Sequence, residues 1–134
     1  MAKAGDPGGD DANGVTFFGT GHVLRGNLIH DITYDDPDVL DAHADCFQTY
    51  GSWIAGEVNS DILIEDNVCE ALTYQNADEN GNGFYIQDVT RLTIRNNVFL
   101  TYGGLGASED VVDLVVVNNT FVSATDLGGS ADLH

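Results

Sequence analysis

Basic residues are what this sequence has least of. Lysine and arginine together number 4 among 134 residues, against 22 acids, for a formal charge of −18, and Lys3 is the sole lysine. A surface of that sign repels nucleic acid and anionic lipid, so neither is an expected partner. No apolar run approaches the roughly 20 residues that carry a helix across a bilayer, and membrane insertion is not expected. Residues 1–13 are rich in Gly and Asp and read as a flexible acidic start, not as a secretory signal peptide. Cysteine occurs twice, at Cys46 and Cys69, which permits one disulfide and does not demonstrate it. Helical periodicity is missing too, because Gly, Asn and β-branched residues interrupt every candidate amphipathic window.

Present instead are acid and a repeat. The acids divide into 17 Asp and 5 Glu. Asp favours turns where Glu favours helices, so the charge is expected on corners. There it makes a soluble surface, a cation-binding surface, or one suited to high salt. Hydrophobic residues form 43% of the chain, enough at this length for one domain with one continuous core.

Four segments share a pattern: His22–Ile29, Ile62–Cys69, Leu92–Phe99 and Leu114–Phe121. Each is an alternating strand, an Asn corner, and a second strand that begins one residue later. The corner residues Asn27, Asn67, Asn97 and Asn119 are 40, 30 and 22 residues apart, so surplus residues must leave as loops. Alternation sends Ile62, Ile64, Leu92, Ile94, Leu114 and Val116 inward before the corner, and Ile29, Cys69, Phe99 and Phe121 inward after it. One coil cannot bury its own apolar face, whereas coils stacked about 4.8 Å apart make aliphatic and aromatic columns. Asn, Asp or Gly at the corner and just before it suits left-handed backbone.

Charge gives a second reading of the register. Two residues before the corners stand Arg25, Glu65, Arg95 and Val117; six before stand Gly21, Asp61, Arg91 and Asp113. Stacking in this register puts Glu65 between two arginines and Arg91 between two aspartates. Cys46 precedes Cys69 by 23 residues, about one coil, but from a different strand position, and the bond stays open.

With those coils, and with a further strand before two of them (Asp45–Gln48 and Phe84–Gln87), the chain resembles the right-handed parallel β-helix family of pectin-lyase-like fold over roughly residues 14–123. The resemblance implies an all-β solenoid of about four coils with loop insertions on one flank, and an internal hydrogen-bonded ladder of Asn27, Asn67, Asn97 and Asn119. It also implies an extracellular or cell-surface setting. Many members cleave or epimerise acidic polysaccharides, often with calcium; others are adhesins or structural parts. Such folds usually have more coils and a capping helix, so this chain reads as a segment of a longer solenoid or one that associates through its ends. Lyases of this fold typically use a basic residue as base, and here the arginines are expected in ladders.

Chemistry is expected in the insertions, since coils supply scaffold. The first, 33–44, carries Asp35, Asp36, Asp38, Asp41 and His43; the second, 73–83, carries Tyr74, Asp78, Glu79, Asn80 and Asn82. Both leave after one strand and return before the next, so they should lie side by side and wall a groove. Asp36, Asp38, Asp78, Asn80 and Asn82 are candidate oxygen ligands for calcium, although no EF-hand glutamate follows. In Asp41-Ala-His43-Ala-Asp45, carboxylates flank a His that can accept a proton, weakly similar to the Asp-x-His stretch of alginate epimerases; Tyr50 is a candidate acid partner. Gln48, Gln87, Tyr74 and Tyr85 are candidate sugar contacts. Alternatively, His43 and Gln48 merely satisfy backbone groups at a loop–strand junction.

Two functions follow. One is a secreted or surface β-helix that binds, and in the enzymatic case modifies by lyase or epimerase chemistry, an acidic polysaccharide. The other is a non-catalytic structural or adhesive segment that self-associates through uncapped ends. Residues 124–134 form a tail that offers only Leu127 and Leu133 as apolar cover.

Overall fold

In the computed structural model, the residues described are 13–32, 44–51, 58–71, 81–107 and 110–123. Among them the chain forms twelve strands and no helix. The strands fall in groups of three, one group per coil. The first coil holds β1 (Val15–Thr16), β2 (Val23–Arg25) and β3 (Leu28–Ile29). The second holds β4 (Phe47–Thr49), β5 (Asn59–Glu65) and β6 (Val68–Ala71). The third holds β7 (Asn82–Ile86), β8 (Val89–Arg95) and β9 (Val98–Thr101), and the fourth β10 (Gly103–Ala107), β11 (Val111–Val117) and β12 (Thr120–Ser123). Corresponding strands pair in parallel into three sheets, ordered β1-β4-β7-β10, β2-β5-β8-β11 and β3-β6-β9-β12. This is a parallel β-helix solenoid of about four coils.

The register follows the corner asparagines. Ile64 pairs with Ile94 and Leu24, and Val116 with Ile94; Cys69 pairs with Ile29 and Phe99, and Phe121 with Phe99. Ile62, Ile64, Cys69, Leu92, Ile94 and Phe99 are all buried. The aromatic column continues from the first sheet, where Phe47 stacks on Phe84 at 5.3 Å and Phe84 meets Phe99 edge-on at 4.5 Å. Such contacts add about 0.5–1.5 kcal/mol beyond area burial. Where a coil has a neighbour on one side only, the inward positions stay partly open. Ile29, Leu24 and Leu114 are half-buried, and Val116 and Phe121 are exposed.

Each corner bends through one left-handed residue, Gly26, Asp66, Asn96 or Asn118, with φ between 54° and 67°. The left-handed position is therefore the residue before the ladder asparagine, while the asparagine itself keeps negative φ. A second left-handed column runs through Gly21, before β2, and through Asp61, Arg91 and Asp113, the third residues of β5, β8 and β11, and bends those strands. Gly, Asp and Asn tolerate that backbone best, which explains the corner composition.

Of the cross-coil charges, the Arg25–Glu65–Arg95 set is complete, whereas Arg91 pairs with Asp61 and makes no ion pair with Asp113 among the described residues. Glu65 accepts from Arg25 and, at 2.6 Å, from Arg95; Arg91 binds Asp61 through two bonds of 2.6 and 2.7 Å. Cys46 and Cys69 are bonded, their α-carbons 6.1 Å apart. The bond crosses the second coil from its first sheet to its third.

Candidate functional site

Two side-chain ladders run along the solenoid, one at the corner between the second and third sheets and one at the start of the first sheet. In one, the backbone N–H and Nδ2 of Asn27 donate to Asn67 Oδ1, those of Asn67 to Asn97 Oδ1, and those of Asn97 to Asn119 Oδ1, all at 2.8–3.0 Å. Each Nδ2 of the later three also reaches the carbonyl of Leu24, Ile64 or Ile94 on the coil before. Asn67 and Asn97 are buried, and both side-chain polar atoms are used.

The other ladder begins the first sheet and runs in the opposite sense. Asp45 N–H donates to Asn13 Oδ1 at 3.1 Å, and Asn82 donates its N–H and Nδ2 to Asp45 Oδ1 at 3.0 and 2.9 Å. It ends at Gly103, where a Cβ would stand 1.9 Å from Asn82 Oδ1, so only glycine fits beneath that amide. Asp45, expected in a proton-transfer cluster, is fully buried and serves this ladder. Asn82, expected as a calcium ligand, gives its amide to Asp45. The reason is positional: Asn13, Asp45, Asn82 and Gly103 each stand two residues before the inward Val15, Phe47, Phe84 and Leu105. That spacing was the signal available in the sequence.

On the outer face of the first sheet the register sets Thr16, Gln48, Tyr85 and Gly106 in one column. Gln48 is nearly covered, and its Oε1 accepts from Asn13 Nδ2. Tyr85 and Gln87 are half-exposed, and Gln87 Nε2 donates to the Tyr85 hydroxyl at 3.2 Å. Gln87 N–H donates to Thr49 O at 2.9 Å, which brings Gln87 abreast of Tyr50 on the neighbouring coil. Tyr50 is itself half-exposed and packs edge-on against Phe18, ring centroids 4.8 Å apart. Asn59 holds this edge, donating to Tyr50 O at 2.8 Å and accepting from Gly19 N–H at 2.7 Å.

The structure thus brings Gln48, Tyr50, Tyr85 and Gln87 into one strip of amides and phenols. The feet of the two insertions, Asp45 and Asn82, are bonded to each other at one end of it. Asp36, Asp38, Asp41, His43, Tyr74, Asp78 and Asn80 lie outside the described residues. Among the described residues no group of three or more His, Cys, Asp or Glu is arranged to hold a metal ion. The fold and strip define a parallel β-helix with a polar–aromatic outer face. No protein-family model, curated protein or solved structure matches the chain.

Proposed function

We propose that this chain is a secreted or surface-displayed β-helix of pectin-lyase-like kind that binds acidic polysaccharide along the outer face of its first sheet. The observation that supports the reading is the strip of Tyr50, Tyr85 and Gln87, with Gln48 beside Tyr85, on the strands that follow the two insertions. Aromatic faces with a few fixed amides are the usual means of holding a polar ligand with an apolar surface. The flat parallel sheet presents them in line, as a linear polymer requires. A disulfide across one coil supports an oxidising, extracellular setting.

The charge of −18 sets a condition on this reading. An acidic polymer approaching an acidic protein needs a cation between them, and a hard ion with oxygen ligands on both sides meets that need. Asp36, Asp38, Asp78 and Asn80 of the insertions are the residues proposed to hold it, and calcium is the ion. Modification of the bound sugar would fall to His43, oriented by Asp41, with Tyr50 as acid partner.

The test is titration calorimetry with galacturonate and with mannuronate–guluronate oligomers, in millimolar calcium and then in chelator. Binding in calcium that disappears in chelator, and that weakens at least tenfold in Tyr85→Ala, is the expected result. Absence of binding to either oligomer in calcium, or binding indifferent to Tyr85→Ala, overturns the proposal. Loss of product but not of affinity in His43→Ala would separate catalysis from binding.

A further inference from the structure

Six of the ten large apolar side chains exposed among the described residues belong to the fourth coil: Val112, Val115, Val116, Val117, Phe121 and Val122. Two of them are inward by position. Val116 continues the Ile64–Ile94 column and Phe121 the Cys69–Phe99 column, yet they are 41% and 38% exposed. Beside them β10, β11 and β12 are all edge strands with parallel partners on one side only. A long, flat, apolar edge is a template for another strand. At the opposite end β1, β2 and β3 are edges too, and a hollow of about 460 Å³ opens over Gly14, Leu28, Ile29 and Ile32.

We propose that the chain stacks head to tail on a second copy of itself, the fourth coil of one seated on the first coil of the next in continuous register. The hydrogen-bond ladder carries the argument, because it has a direction. Every internal step runs from a backbone N–H to the Oδ1 of the following coil. The fourth coil therefore ends in the Asn119 N–H, and the first begins with Asn27 Oδ1; among the described residues neither has a partner. The carbonyl of Val116 likewise occupies the place at which Leu24, Ile64 and Ile94 accept an Nδ2, and the Asn27 Nδ2 lacks that bond. Donor faces acceptor at both steps only when opposite ends meet. Two like ends cannot satisfy them.

The rest of the register agrees. Leu105, Val116 and Phe121 of one copy fall on Val15, Leu24 and Ile29 of the next, so one apolar column per sheet continues across the junction. Phe121, which stacks on Phe99 at 5.2 Å, then points its open face at the hollow above Ile29. Outside, Val115 falls on Val23, both half-exposed or more. Val117 meets Arg25 and Asp113 meets Gly21, so no acid of the second sheet faces another acid. A head-to-tail contact is not closed by symmetry and grows into a filament. Repulsion between chains of −18 opposes it at low salt and yields as salt screens the charge.

Both cysteines are already bonded, so introduced thiols would be the only free ones. Neighbouring positions on parallel strands lie within disulfide reach. The double variant Val23→Cys/Val115→Cys, oxidised in about 0.5 M salt, should give a ladder of dimers, trimers and higher multimers. On a denaturing, non-reducing gel either single variant should run as monomer, without the ladder. Single variants that dimerise as readily as the double form multimers, or a double variant that stays monomeric, overturn the proposal. Sedimentation of the unaltered chain should show mass rising in multiples of 14.3 kDa with protein and salt concentration. A monomer throughout, the result if residues 124–134 or a different protein cover the fourth coil, also overturns it. Val116→Lys with unchanged circular dichroism should abolish association; continued association would place the contact elsewhere.

Discussion

Glu65 has the most constrained charge in the described chain. Its side chain is almost wholly covered, yet both oxygens are used, one by Arg25 and one by Arg95. The hydrogen bond from Arg95 holds its carboxyl below the usual range, against the opposing effect of burial and with further help from Arg25. Asp61 is lowered in the same way, first by its bond to Arg91, and Arg91 is raised by the reciprocal bond. A carboxyl whose folded pKa is depressed stabilises the fold above its unfolded value, about 4.3 for glutamate, and that contribution is lost as pH falls through the folded value. Glu65→Gln should therefore melt below the unaltered chain at pH 7, and the gap should close as pH falls below about 4. Melting curves between pH 7 and 2 check this; a gap constant with pH would assign the effect to packing. This pairing was legible in the sequence because each partner stands at the same offset from its Asn. The roles of Asp45 and Asn82 were not, since their ladder mixes Asn, Asp and Gly, and an Asp beside a His attracts a catalytic reading.

At the scale of the strand, legibility followed alternation. The second and third sheets repeat the pattern of Ile62–Cys69 four times, and their register could be read directly. The first sheet was visible only in β4 and β7. Its last strand, β10, is Gly-Gly-Leu-Gly-Ala, a composition depleted in strands, and is held by its pairing to β7. Between sheets, the asparagine ladder fixes the corner. Asn97→Ala would leave the buried Asn67 N–H and the Ile64 carbonyl without their side-chain partners. Each such orphan costs about 1–3 kcal/mol, so a loss of roughly 2–4 kcal/mol is expected. Asn27→Ala, on the open first coil, removes the Nδ2 donor to Asn67 while its backbone N–H still donates there, buries no orphan and should cost about 1 kcal/mol or less. Urea unfolding of both variants decides the point. Equal losses would mean that the interior asparagine is no better sheltered than the terminal one.

Over the whole molecule, what holds the second coil closed is the bond between Cys46 and Cys69. Both are completely buried, one at the entrance to β4 and one in the column that Phe99 and Phe121 continue. The sequence left this bond open because the two residues occupy different strand positions. The solenoid resolves the difference, since the first and third sheets face each other across a core only one or two side chains wide. At the Cys69 layer one sulfur takes the place that the next coil fills with a phenyl ring, and the sulfur bonded to it fills part of what that ring would occupy. The bond therefore has two effects, a cross-link and a packing unit, and they are separable. Restricting a loop of 23 residues in the unfolded chain stabilises by about 3 kcal/mol. Reduction keeps both sulfur atoms in place and removes the cross-link alone, so the reduced chain should melt about 10 °C lower. Cys46→Ala/Cys69→Ala removes the sulfurs as well and leaves a small cavity, which adds about 1 kcal/mol or more. The expected order of melting temperature is oxidised, then reduced, then the double alanine variant. Scanning calorimetry with and without reductant checks it. Equal melting of the oxidised and reduced forms would show that stacking on the neighbouring coils already confines the loop and that the cross-link adds nothing to it.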